Sequence, residues 1–141
     1  MMTKIDNTLG IEKLKAYADL LEENDLQIRR LEKLEAMEEP SLSQRARIRE
    51  LRERLPVAIQ MEQSRGATLR DLVDRLAGPK HRAVLRLRYL DLLTWPKVCE
   101  AVFEDRDDYE LKRENYQRQT FRIHVEAVKQ LDALLVRQDC R

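Results

Sequence analysis

Leu14, Tyr17, Leu21, Asn24, Ile28 and Leu31 recur at alternating steps of three and four, in a stretch (residues 11–38) without Gly or Pro. This spacing predicts one apolar seam on a long helix, as in a coiled coil or a helical hairpin. Asn24, the polar member of the series, has two readings. It sets register or partner number, or it marks the edge of an imperfect seam only about three heptads long. Glu38-Glu39-Pro40 predicts the end of the helix, and Ser41 or Ser43 caps the next.

In the second segment Leu42, Ile48, Leu51 and Leu55 keep helical spacing, with Arg45, Arg47, Arg49, Arg52 and Arg54 around the other faces. Pro56 removes a backbone donor and predicts a kink or short break, and Ser64 to Thr68, weakened by Gly66, predicts a second. The pattern resumes through Leu69, Leu72, Val73 and Leu76 and stops at Gly78-Pro79, the clearest punctuation in the chain. The short connection between the two long segments makes an antiparallel pairing the simplest arrangement. The five arginines either meet DNA phosphates or form a solvated face that pairs with the acidic first helix. Residues 1–77 are thus expected to form a helical hairpin or coiled coil for oligomerisation or partner binding, and 78–141 a second domain.

Beyond Pro79, Val84, Leu85, Leu87 and Leu90 supply core positions while Lys80, Arg82 and Arg86 fall outside. Thr94 stands where an N-cap belongs, and Pro96 sits in the first turn, where its missing N–H costs nothing. Trp95, Val98, Cys99 and Val102 are the inward residues of this short helix; Trp95 either stacks on a sugar or base or anchors two short helices. Glu104-Asp105-Arg106-Asp107-Asp108-Tyr109 is an acidic stretch that would repel phosphate and so points away from DNA or toward a protein. The last helix begins near Asn115 or Tyr116 and takes Phe121, Ile123, Val125, Val128, Leu131, Leu134 and Leu135 as apolar contacts. Its first turns expose Gln117, Arg118 and Gln119, then Arg122. A scaffold helix, a short helix and a helix with a polar, cationic start follow one another as in a helix-turn-helix. Gln pairs bidentately with adenine and Arg with guanine, so these four are the candidate base-reading residues, although the same types serve as helix formers on any exposed surface.

Composition narrows the class. In 141 residues, 38% are charged while Gly numbers 3 and Pro 4, so the fold class is all-α. No apolar run approaches the roughly 18 residues that cross a bilayer, and the start of the chain lacks a basic stretch followed by an apolar one. The expectation is a cytoplasmic protein without membrane contact. Two cysteines, Cys99 and Cys140, have neither the number nor the spacing of a disulfide framework or zinc site. Without a Gly-rich phosphate loop, a ligand cluster or a triad, no catalytic residue, metal or cofactor is expected. The net charge of +1 hides a partition: six basic against ten acidic residues in 1–40, twelve against five in 41–90, four against eight in 91–115, and five against three in 116–141. DNA binding by such a chain must come from local cationic surfaces and not from bulk charge.

Leu85-Arg86-Leu87-Arg88-Tyr89-Leu90, then Leu93-Thr94-Trp95 with Val98 and Cys99, then Thr120-Phe121-Arg122-Ile123-His124 with Ala127 and Val128, resemble the helix-turn-helix of sigma-70 region 4. The likeness is closer to phage-encoded small proteins that carry this module behind a helical N-terminus, including the RinA and ArpU types of late-gene transcriptional activator. It covers about a third of the chain. Cys99 replaces the usual small residue under the turn, and about a dozen residues, Glu104 to Asn115, separate helices that the family joins with a few. The resemblance implies an all-α fold, a long N-terminal helical hairpin or coiled coil followed by a region 4-like helix-turn-helix bundle. It further implies a sequence-specific regulator of phage or prophage promoters, an activator acting with RNA polymerase in the bacterial nucleoid. Double-stranded DNA would be read by Gln117, Arg118, Gln119 and Arg122, with Arg86, Lys97 and Arg113 on phosphates, and the N-terminal helices would form a dimer or meet polymerase. Arg88 is expected to pair with Glu100 or a nearby carbonyl and Tyr89 to pack; His124 packs on the short helix or meets phosphate. Two alternatives stay open: a phage terminase small subunit, which would bind packaging-site DNA as a ring, and a helical adaptor that binds no nucleic acid.

Overall fold

Thr8 opens the first helix by accepting a hydrogen bond from Ile11 N–H at 3.3 Å, satisfying one of the donors every helix start leaves free. A computed structural model describes residues 8–139, in which the chain forms α1 (Leu9–Glu35), α2 (Leu42–Asp74), α3 (Pro79–Leu85), α4 (Trp95–Phe103) and α5 (Arg113–Asp139). No strand occurs among the described residues, so the fold is all-α. Cys140 lies outside them. α1 starts two residues before the expected 11 and includes Gly10, because that residue abuts α5: its N–H donates to Asp132 Oδ1 at 2.7 Å, and a Cβ there would stand 2.6 Å from the same oxygen. It ends at Glu35, three residues short of the expected 38. Ser41, not Ser43, caps α2, in a capping box with Gln44.

α1 and α2 run antiparallel, as three contacts along them require. Glu35 pairs with Arg52, Asn24 Nδ2 donates to Ala58 O and Glu62 Oε1, each at 3.2 Å, and Tyr17 lies against Gly66. Asn24 is buried and spends its amide inside the chain, so of its two readings the register-setting one fits, between two helices of one molecule. α2 is helical throughout, and the breaks expected at Pro56 and at 64–68 do not occur. A proline inside a helix costs about 3 kcal/mol, but the turns on either side of the exposed Pro56 are held on α1 through Leu55 and the Asn24 bonds. Gly66 is small because Tyr17 occupies the space of its side chain: a Cβ would lie 3.0 Å from Tyr17 Cζ and closer still to the hydroxyl. Leu42, expected on the apolar face, is exposed.

Gly78, at φ +99°, turns the chain into α3, and the turn is tied to α5: Ala77 N–H donates to Gln130 Oε1 at 2.9 Å and His81 pairs with Glu126 at 2.9 Å. The main core spans this point, where the expected segments 1–77 and 78–141 meet. Ile11, Leu14 and Tyr17 of α1 and Leu69, Leu72, Val73 and Leu76 from the end of α2 pack with Leu85, Tyr89 and Leu90, and with Ala127, Val128, Leu131 and Leu135 of α5. A π turn, Arg86–Leu90, prolongs α3, with Asp91 N–H donating to Arg86 O at 2.9 Å. The wider turn brings both Tyr89 and Leu90 into the core and leaves Arg86 outside.

The insertion between α4 and α5 is folded. Phe103, Tyr109 and Tyr116 close with Cys99 into a second apolar cluster, flanked by Val102 and Ile123. Successive turns connect them, and Tyr116 Oη donates to Asp108 Oδ1 at 2.5 Å. That bond holds the Asp108 carboxyl below its ordinary pKa and pushes the Tyr116 hydroxyl up, while burial pushes Tyr109 up to about 12. No helix among the described residues is long and apolar enough to cross a membrane.

Candidate nucleic-acid interface

One stripe of α5, formed by Tyr116, Thr120, His124, Ala127 and Val128, is buried, and spacings of four, four, three and one keep it on one side of the helix. Thr120 Oγ1 donates to Tyr116 O at 2.8 Å, so its polar atom is satisfied within the helix. His124 Nε2 shares a hydrogen bond of 2.7 Å with Tyr89 Oη, and its ring meets Trp95 edge-on at 4.8 Å. Burial, and then the charges of Arg88 and Lys15, lower the His124 pKa to about 4, so the imidazole is neutral near pH 7. Burial likewise raises Tyr89 to about 12. Arg88 lies over the Trp95 ring at 4.9 Å and donates through Nη1 to Leu93 O at 3.0 Å. Of the two partners expected for Arg88, Glu100 or a carbonyl, the structure has the carbonyl. Thr94 is the N-cap of α4 by backbone position, yet its side chain makes no capping bond; Pro96 in the first turn leaves one fewer N–H to satisfy.

These contacts fix which part of α5 faces outward. Arg118, Phe121 and Arg122 are exposed, and neither arginine has a carboxylate partner among the described residues. Gln117 and Gln119 are half-buried and stand at the two edges of this surface, since two residues turn about 200° around a helix. Gln117 borders a cavity of about 180 Å³ with Trp95, Pro96, Cys99, Thr120 and Phe121, and Gln119, four residues before Ile123, shares that residue's side of the helix. The four expected base-reading residues therefore form one convex surface, with the arginines at its crest and the glutamines on its flanks.

Phe121, expected among the apolar contacts of the last helix, is 47% exposed. Helical spacing puts it, four residues after Gln117 and three after Arg118, on their face, but that this face stays open follows from the packing of the stripe through Thr120 and His124. Its ring stands 5.0 Å from that of Trp95, which is half-buried and joins α4 to α5 as an anchor.

The three expected phosphate contacts differ. Lys97 is exposed on the first turn of α4 with no ion pair among the described residues, and its neighbour Pro96 borders the same cavity as Gln117. Arg86 is exposed but pairs with Asp74 Oδ1 at 2.5 Å. Arg113, the first residue of α5, pairs with Glu110 and lies over the Tyr109 ring at 5.9 Å. Lys112 is likewise held by Asp108 at 3.3 Å. Acidic groups near a helix N-terminus are stabilised by its dipole, and here they neutralise the cations of that end. On α5 the positive charge without an ion pair among the described residues accordingly starts further along, at Arg118 and Arg122.

A second groove, of about 440 Å³, lies between α1 and the Arg88–Trp95 segment and is lined by Lys15, Asp19, Glu22, Arg88, Trp95 and His124 among others. Its charges are mixed in sign. No group of three or more His, Cys, Asp or Glu suited to a metal occurs among the described residues, and Cys99 is a buried free thiol. No family model, curated protein or solved structure matches the chain.

Proposed function

We propose that this chain is a sequence-specific double-stranded DNA-binding regulator of transcription, an activator that works with RNA polymerase at phage or prophage promoters. One observation carries the DNA-binding part. Arg118 and Arg122, without a carboxylate partner among the described residues, crest an exposed face of α5 whose opposite face is locked through Thr120, His124 and Trp95. Guanidinium groups carried on a held helix and flanked by Gln117 and Gln119 offer the donor and acceptor pattern that pairs with guanine and adenine edges, and Lys97 supplies a phosphate contact beside them. The polymerase and phage assignments rest on the residues that resemble sigma-70 region 4.

The far half of the α1–α2 hairpin is the surface for a second copy. Leu26, Val57 and Met61 are exposed there, and the acidic α1 would meet the arginines of α2 across a two-fold axis. The adaptor reading draws on a separate observation, the internal pairing of Arg86 with Asp74 and of Arg113 with Glu110 of the acidic insertion. Binding of the purified protein to duplexes selected from a random pool, measured over a salt series together with its mass in solution, separates these readings. Sequence-dependent, salt-sensitive binding by a dimer supports the regulator, a large ring on DNA supports the terminase class, and no binding at low salt leaves the adaptor.

A further inference from the structure

We infer that Phe121 is a specificity-determining residue that reads the C5-methyl group of a thymine; this rests on the DNA-binding reading of α5. Among the groups that bases present in the major groove, the thymine methyl is the apolar one, and an aromatic side chain is a matching contact. Phe121 is the large apolar side chain exposed on the outward face of the first half of α5, with Gln117 four residues before it, Arg118 three before and Arg122 adjacent. The next exposed large apolar residue of the helix is Val136, about 22 Å further along at 1.5 Å per residue. Any groove that admits Arg118 and Arg122 therefore also receives this ring.

Two features make the ring a reader and not an incidental apolar patch. Its position is fixed against Trp95 at 5.0 Å, and Trp95 is itself held by His124 and Arg88, so little side-chain freedom remains to be lost on docking. Polar hydrogen-bonding side chains also surround it, so a methyl group meeting it is enclosed by groups that engage neighbouring bases. The target then contains an A·T pair, oriented with its thymine toward Phe121, between the positions bonded by Gln117 and by the arginines.

The test uses the full chain and a duplex selected from a random pool. Thymine is replaced by uracil, which lacks only the methyl, at one position at a time, and affinity is measured for the native protein, Phe121→Ala and Phe121→Leu. At one position per bound helix the exchange is expected to weaken native binding about four-fold, the equivalent of ~0.8 kcal/mol for one buried methyl. Phe121→Ala should bind both duplexes equally there, and Phe121→Leu should keep part of the discrimination, which guards against a loss of fold in the alanine variant. Indifference of the native protein to uracil at every position, or equal sensitivity in Phe121→Ala, would overturn the inference while leaving DNA binding intact. Failure of any duplex to be enriched would overturn the DNA-binding reading itself, and the inference with it.

Discussion

His124 ties the stability of the chain to pH, and the magnitude follows from its surroundings. The imidazole is 6% exposed, shares a hydrogen bond with Tyr89 and has its pKa lowered from 6.5 to about 4. Arg88 and Lys15 oppose a positive charge, and Asp19 and Glu22 line the same groove further out. A base with a depressed folded pKa binds its proton in the unfolded chain first. Its contribution is complete above pH 6.5 and is lost as pH falls from there toward about 4. The difference in pKa corresponds to roughly 3 kcal/mol at full expression, at 1.4 kcal/mol for each pH unit in which one proton is taken up. The perturbation is His124→Gln, which keeps a polar partner for Tyr89 and does not titrate. Urea unfolding followed by circular dichroism at pH 7, 6, 5 and 4.5 gives the stability of both proteins. Subtracting one series from the other cancels the carboxylates they share. The native protein should lose about 1 kcal/mol or more per pH unit relative to the variant below pH 6. Parallel curves, or an imidazole resonance of His124 titrating near 6.5, would refute the burial argument.

Gly66→Ala tests the close approach of α1 and α2. In an open helix this change gains up to about 1 kcal/mol, but against Tyr17 the added methyl is expected to lower stability by about 1–2 kcal/mol, and Tyr17→Phe should relieve part of that loss. A Gly66→Ala protein that unfolds at higher urea than the native chain would contradict the packing. For the phosphate contacts, Lys97→Ala should lower the slope of log affinity against log salt by roughly one, because Lys97 has no ion pair among the described residues. Arg86→Ala should leave the slope nearly unchanged, because Asp74 already neutralises that guanidinium. Equal changes at the two positions would show that the Asp74 pair opens on DNA.

Much of the architecture was local and therefore legible along the chain. The three-and-four spacing of Leu14, Tyr17, Leu21 and Ile28, the Ser41 cap, the turn at Gly78-Pro79 and the Pro96 start of α4 each depend on residues within one or two turns, and each is seen in the structure. Pro56 and Gly66 were legible as residue types but misleading as breaks, because helix breakers act on isolated helices and these two lie on a helix held by its neighbour. The candidate site was legible as a list of residues. Which of them keep a free charge was not, since Asp74 and Glu110, which neutralise Arg86 and Arg113, are identified only once side chains are placed.

By itself the sequence determined the all-α class, the helix order and a cationic start to the last helix, all consequences of propensity and periodicity acting over a few residues. Only the tertiary structure decided which of two apolar sides of α5 is covered. His124 and Thr120 went inward against Trp95 and Tyr116 while Phe121 stayed out, although phenylalanine is the most apolar of the three. The reason is that burial is allotted to the whole stripe of a helix that fits against its neighbours, and Ala127, Val128 and Leu131 had already placed that stripe on the side of Thr120 and His124.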